Sequence, residues 1–251
     1  MSDFKTLRLL HEGAVLGVEL NSPETGNAVS GLMLDELLAV LGTLADRPDV
    51  RVLVLSGAGD HFCLGADRAE FAKIIANDPA DGRLRALGTK ARMVCDALAT
   101  SDVATVARVH GGVIGAGVAL AVFCDLRVGA EDCRFRLPEL ALGMPPAWGG
   151  SLPRLIQEAG AARVRELLMT GENFTAARAA DLSLLHKVVP VAELDDAVDR
   201  WTRPLVRRSA AALRTTKIMM NAYASAARLA DASLFDAELM TVAVASRAGR
   251  R

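Results

Sequence analysis

Two short turns hold the residues best placed to do chemistry: His61-Phe62-Cys63-Leu64-Gly65-Ala66-Asp67 and Gly111-Gly112-Val113-Ile114-Gly115-Ala116-Gly117. Each follows an apolar, β-branched run, Val50 to Leu55 in one case and Thr105 to Val109 in the other, and each precedes a helical pattern. A strand that ends in a tight turn of small residues leaves backbone amides without a ladder partner. Two such turns side by side can aim two N–H groups at one developing negative charge, which is the geometry of an oxyanion hole. The second turn also carries a competing reading. Val113-Ile114-Gly115-Ala116-Gly117-Val118 looks like the phosphate turn of a dinucleotide-binding fold, but Leu120 stands where the third glycine of that fingerprint belongs.

The elements that must position these turns follow from hydrophobic spacing. Val15 to Leu20 and Val50 to Ser56 read as strands, the second apolar enough to be buried on both faces. Between them a helix runs from about Gly31 to Leu44, with Leu34, Leu37, Leu38 and Leu41 on one face. Further helices are expected over Arg68 to Asn77, Arg83 to Leu98 and Ala116 to Phe123, with a loop from Asp78 to Gly82. Strands are expected over Thr105 to Val109, Leu126 to Ala130 and Arg134 to Leu137. From there the pattern is helical: Ser151 to Met169 with Ser151 as its cap, Thr175 to Leu182, Glu193 to Arg203, Ala210 to Ala227, and Asp231 to about Ser246, capped by Asp231. Strands alternating with helices and then giving way to helices imply an α/β core with a helical C-terminal piece.

Composition excludes several classes. With 29 Lys and Arg against 30 Asp and Glu, the net charge of −1 offers no basic face for nucleic acid or membrane. No uninterrupted apolar run is long enough to span a bilayer, and Met1 to Lys5 lacks a basic-then-apolar leader, so a cytoplasmic location is expected. Cys63, Cys95, Cys124 and Cys133 have neither C-x-x-C spacing nor histidine partners, so no metal site is expected and the thiols read as buried and reduced. Aromatics make up only 4% of a chain that is 51% hydrophobic, so Ala, Val and Leu must fill the core.

Taken in order, Phe62-Cys63-Leu64-Gly65-Ala66-Asp67, Gly115 to Asp125, and Leu137-Pro138-Glu139-Leu140-Ala141-Leu142-Gly143 resemble the crotonase family of enoyl-CoA hydratases and isomerases. The likeness extends from Leu20-Asn21-Ser22-Pro23-Glu24 to Lys217. It implies an α/β fold built as a spiral of β-β-α turns over residues 1–192, holding the active site, with a helical trimerisation lobe over 193–251. The implied oxyanion donors are the backbone N–H groups of Ala66 and Ala116, with Gly65, Gly115 and Gly117 shaping the turns against the substrate. The implied proton carrier is Glu139, walled by Leu137, Leu140, Leu142 and Trp148. Lys217 matches a family lysine that reaches the nucleotide end of coenzyme A, the carrier of the substrate; no other cofactor is implied. Asp67 and Asp125 match structural positions.

Two departures from the family pattern shape the functional expectation. Hydratases of the family use two glutamates, and here the first of those positions is Ala119. A single carboxylate suits a 1,3-proton shift, so isomerisation of an enoyl thioester is the first expectation. Hydration or dehydration is the second, because some polyketide-associated relatives lack the same glutamate and still dehydrate. The family's basic contacts to coenzyme A are also thinned, with Gly26 and Ala69 at two of them, which keeps an acyl carrier protein open as the thioester's carrier. The expectation from another class is a non-catalytic acyl-thioester binder. A homotrimer or homohexamer is expected, because Met219, Met220, Leu229, Leu234, Phe235, Leu239, Met240 and Val242 offer apolar surface beyond what short helices can bury.

Overall fold

In the computed structural model, which describes residues 4–77, 82–226 and 232–248, a parallel sheet carries the chain's most apolar runs. Strands β1 (Leu7–Glu12) and β2 (Val15–Leu20) form an antiparallel hairpin whose two-residue turn has Gly13 at φ 59°, as a tight right-twisted hairpin requires. Parallel to β2 lie β3 (Val52–Gly57), β4 (Ala104–Val109), β6 (Leu126–Ala130) and β9 (Lys187–Val189), in the sheet order β1-β2-β3-β4-β6-β9. Val52, Leu55, Val106, Ala107, Val109 and Val128 are wholly buried, so the central strands are buried along most of both faces, with Val54, Ser56 and Arg108 partly exposed.

A second, smaller layer turns this sheet into a spiral. Short strands β5 (Gly112–Ile114), β7 (Arg134–Arg136) and β8 (Phe174–Thr175) form it, in the order β5-β7-β8. After β4 the chain enters β5 and then helix α4 (Ala116–Val122); after β6 it enters β7. Helices α1 (Gly31–Gly42), α2 (Arg68–Asn77) and α3 (Arg83–Thr100) connect the earlier parallel strands, and α1 packs on α3. Ser30 caps α1 by accepting from Met33 N at 3.2 Å, and Asp67 holds the start of α2 by accepting from Ala69 N and Glu70 N.

The expected helix from Ser151 to Met169 is two helices, α5 (Ser151–Ala159) and α6 (Ala161–Thr170), because Gly160 sits at φ 84° and ends the first. Ser151 is not the cap expected of it. It is the first helical residue, while Gly150 at φ 74° holds the cap position and donates its N–H to Asp236 Oδ2 at 2.8 Å. Helices α7 (Ala176–Asp181), α8 (Leu194–Arg207) and α9 (Ala210–Ala226) follow close to expectation, with Thr175 capping α7. The final helix, α10 (Asp236–Ala248), starts later than expected, after a 3-10 turn over Ala232–Phe235. Asp231, its expected cap, and positions 78–81 of the expected loop lie outside the described residues. Among the described residues no helix is long and apolar enough to cross a membrane.

Two buried cations lock helices to this frame. Arg127, 1% exposed, donates to the carbonyls of Val122, Cys124 and Ser183 and pairs with Glu158 at 2.9 Å. Arg154 adds a bond to Val122 O and pairs with the same Glu158. The carbonyl end of α4 is thus tied down by two guanidinium groups, the sign that end favours. Lys217, on α9, is the second anchor. Its Nζ lies 3.1 Å from each of Leu98 O, Ser101 Oγ and Val103 O, and 2.8 Å from Asp125 Oδ2. Asp125 in turn accepts from Thr105 N and Oγ1, the structural task expected of it.

The nucleotide contact expected of Lys217 is therefore not what the fold uses it for: its ammonium is spent fastening α9 to the end of α3 and the start of β4. Lys217→Met leaves four acceptors without that donor and should cost about 2 kcal/mol. Thermal unfolding should show the melting temperature lower by about 4–8 °C for a chain of this size. An unchanged melting temperature would mean that the anchor carries no load.

Candidate active site

The two turns are brought together by backbone pairing. Cys63 N donates to Gly112 O at 3.1 Å and Ile114 N to Cys63 O at 3.0 Å, a parallel bridge between Cys63 and Val113. Parallel pairing keeps both chains in step, so the residue three places on in each, Ala66 and Ala116, arrives at the same level. A second bridge, Val29 with Ala66, fixes the direction of the first amide. Val29 N donates to Gly65 O and Asp67 N to Val29 O. That pattern uses the groups flanking Ala66 and turns its own N–H away from Val29. Ala116 is the first residue of α4, where an N–H has no intrahelical acceptor; the preceding Gly115 N goes to Arg136 O, and the first closed helical bond is Ala119 N to Gly115 O. Both alanines line one cavity of about 250 Å³.

The glycines of the turns divide into two kinds. Gly65 (φ 105°) and Gly115 (φ 49°) line the cavity in conformations that L side chains avoid. Gly117 does not reach the cavity, contrary to its expected place against the substrate. A Cβ there would lie 2.4 Å from Cys63 O, so its task is to let α4 approach the first turn.

Glu139 follows β7 and faces the second turn: a Cβ placed on Gly115 would sit 3.3 Å from its Oε1. Its backbone is fixed by Leu142 N and Met144 N, which both donate to Glu139 O. Its Oε2 is buried and has no hydrogen-bond partner. Burial among apolar side chains pushes the carboxyl pKa upward, a bond to its own backbone opposing weakly. Among the described residues Glu139 is the only carboxylate on the cavity wall, and Arg68, exposed at the mouth, the only cation. Ala119, where a second glutamate was considered, is 1% exposed and belongs to the main core rather than the wall.

Trp148 and Leu142 line the cavity as expected, whereas Leu137 is buried in the core and Leu140 is exposed outside it. Ile75 falls in the segment from Lys73 to Gly88 where the sequence places the acyl pocket, whereas sequence reasoning missed Phe71, Met144, Pro145 and Met240, all of which the cavity takes as walls. The i, i+3, i+4 spacing of Phe71, Ile74 and Ile75 was a legible signal for α2. Nothing in the sequence marks Met240 apart from its neighbours. It lies beyond residue 192, so the cavity is not confined to the first of the two regions expected.

The neighbouring polar groups have structural tasks. His61 Nδ1 accepts from Gly112 N at 3.1 Å and His110 Nε2 lies 2.9 Å from Gly59 O. Cys63 is fully buried, and desolvation pushes its thiol pKa up to about 12, which removes it as a nucleophile. Among the described residues no three His, Cys, Asp or Glu side chains gather as metal ligands.

Paired amides, a desolvated carboxylate and an apolar cavity together fit stabilisation of an enolate formed by proton abstraction beside a carbonyl. Known proteins point the same way. The family model for enoyl-CoA hydratase/isomerase matches residues 11–250. A short-chain-enoyl-CoA hydratase of Clostridium acetobutylicum is 30% identical over 211 residues, covering 84% of this chain and 78% of that protein. A peroxisomal Delta(3,5)-Delta(2,4)-dienoyl-CoA isomerase of Arabidopsis thaliana is 31% identical over 231 residues, covering 88% and 83%. The crystal structure of an enoyl-CoA hydratase from Bacillus halodurans has the same fold, with a TM-score of 0.88 over 96% of this chain and 95% of that one at 21% identity. With its spiral core, its two amide turns and a model match over nearly its whole length, the chain belongs to the enoyl-CoA hydratase/isomerase family.

Proposed function

We propose that the protein shifts a double bond along an acyl thioester. The thioester oxygen receives hydrogen bonds from Ala66 N–H and Ala116 N–H. The Glu139 carboxylate takes a proton from C2 of a 3-enoyl thioester, and the electron pair spreads over a dienolate whose charge rests on that oxygen. Glu139 then returns the proton to C4, leaving the double bond between C2 and C3. The observation that carries this reading is that, among the described residues, Glu139 is the only carboxylate on the cavity wall. Its raised pKa strengthens it as a base and readies it to give the proton back.

Hydration or dehydration is the second reading, supported by the name of the Clostridium acetobutylicum relative. Ala119 supplies no second carboxylate to hold water, so on this reading Glu139 alone would have to serve both proton transfers. Coenzyme A is the proposed carrier of the thioester and an acyl carrier protein the alternative, since among the described residues Arg68 is the only cation lining the cavity. We also propose assembly as a homotrimer or a homohexamer. Met219, Met220 and Tyr223 on α9, and Phe235, Leu239 and Val242 at α10, are exposed, an apolar surface that association would cover. Met240, expected on that surface, is buried; Leu229 and the Leu234 side chain lie outside the described residues.

Proton exchange with deuterated solvent, followed by NMR beside hydration by absorbance, separates the readings. With crotonyl and 3-enoyl thioesters on both carriers, the native protein should exchange protons or migrate the double bond faster than it adds water. Fast hydration with negligible migration would make it a lyase. Glu139→Gln should lower exchange by about 10² to 10⁴. No turnover on any thioester, with ligand affinity unaffected by Glu139→Gln, would make it a binder.

The raised carboxyl pKa also ties stability to pH. Because the folded pKa lies above the unfolded one, the stability linked to the protonated form is present below the unfolded pKa and is lost as pH rises through the folded pKa. Glu139→Gln should therefore melt higher than the native protein at pH 8, and the gain should shrink toward pH 4. A gain that does not depend on pH would show that the carboxyl is not desolvated.

Assembly is checked by light scattering at micromolar concentration. The mass should be three or six times that of the 26.5 kDa chain, and a stable monomer would refute the assembly.

A further inference from the structure

We propose that Met240, on the last helix, closes the far end of the acyl pocket and sets the length of an unsubstituted hydrocarbon chain. The inference rests on the thioester reading above. The cavity has a chemically distinct mouth and end. Arg68 and Ala72, both exposed, stand at the mouth, while the two amides and Glu139 line the reacting part. Met240 is 2% exposed and packs with Ile74 and Leu84 in a small core of its own, separate from the main one. Phe71, Ile75 and Met144 lie against that core and also line the cavity. An acyl chain that runs inward from the amides therefore ends on a buried apolar cluster with Met240 at its face.

Two contacts hold Met240 there. At the start of α10, Asp236 accepts the Gly150 N–H at 2.8 Å, two residues after the wall residue Trp148. Further along, α10 meets α3 where α3 has Gly88: a Cβ on that glycine would lie 3.0 Å from Met240 Cε and 3.1 Å from Ala237 Cα. The glycine makes room for the methionine tip, so the end wall is fixed relative to the catalytic turns. Among the described residues, the walls present no polar side chain apart from Glu139, Arg68 and the Trp148 ring nitrogen. A hydroxyl or charge on the acyl chain would be buried without a partner, which sites of this kind reject.

Saturated acyl-CoAs of four to twelve carbons have no double bond to move or hydrate and are not converted to a different product, so calorimetry on them reads pocket depth apart from turnover. Each methylene that fits should tighten binding about fourfold, until the end wall is met. Met240→Ala removes three heavy atoms from that wall. It should move the affinity maximum about two carbons longer and raise the ratio of long-chain to butyryl affinity by about tenfold. Met240→Phe and Gly88→Ala, which crowd the same point, should move the maximum shorter. An ω-hydroxyl on the best-fitting chain should weaken binding by about tenfold or more.

If all three variants keep the native melting temperature and the native length profile, the inference is wrong. Equal binding of the hydroxylated chain would overturn the hydrocarbon assignment. Turnover measured in parallel keeps the two readings apart. A shifted affinity profile without turnover sinks the catalytic reading and leaves the depth inference standing. Turnover with an unshifted profile does the reverse, and no binding of any acyl-CoA or of the same chains on a carrier protein sinks both.

Discussion

The parallel bridge between Cys63 and Val113 is the contact on which the site depends. It consists of two backbone hydrogen bonds, yet it sets the relative level of two turns that are far apart in the chain. Everything that follows is positioned from it. Ala66 and Ala116 fall into step, Gly117 must be a glycine because the bridge draws α4 onto Cys63 O, and Glu139 settles over Gly115. Side chains could not do this job as cheaply. An oxyanion site needs donors that do not reorganise as charge develops, and amides held in a spiral of paired strands cannot rotate away.

Around that bridge the protein keeps its charges out of the cavity. Arg127, Arg154 and Glu158 form a compact group behind α4, and Lys217 and Asp125 form another at the start of β4. Both groups satisfy backbone carbonyls or amides as well as each other, the condition under which buried ions are tolerated. Among the described residues Arg127 Nε is buried without a hydrogen-bond partner within an otherwise bonded guanidinium, and on the cavity wall Glu139 Oε2 is likewise buried with no partner. A carboxylate oxygen left unsatisfied on the wall of an apolar cavity is the kind of group expected where a protein keeps a proton carrier, which is the role proposed for Glu139.

Much of this was legible in the sequence, and the rest failed for identifiable physical reasons. The mostly buried strands β3 and β4 and the helices from α1 to α4 are written in apolar runs and in 3.6-residue spacing, which no neighbour is needed to interpret. Strand β1 escaped notice because it is an edge strand with mostly exposed side chains, so no alternation marks it. β5 and β8 are too short for any periodicity and exist only because a neighbour pairs with them. At the site, the family resemblance carried by local motifs pointed to Ala66, Ala116 and Glu139, and all three line one cavity. Lys217 was misread because a lysine's sequence position says nothing about which acceptors its long side chain will meet. Met240 was assigned to a surface for the same reason, since only the packing of α10 on α3 turns it inward.

The burial of Cys63 has a further consequence in a family that handles enoyl thioesters. Such compounds are electrophiles that add thiols at the β-carbon, and Cys63 lies three residues from an amide that lines the cavity. With its thiol pKa pushed up to about 12 by burial, the reactive thiolate is scarce at neutral pH. Its sulfur is also 0% exposed and turned toward Gly65 N in the backbone of its own turn. The small residue that the bridge demands is thereby shielded from alkylation by molecules of the kind the site is built to hold.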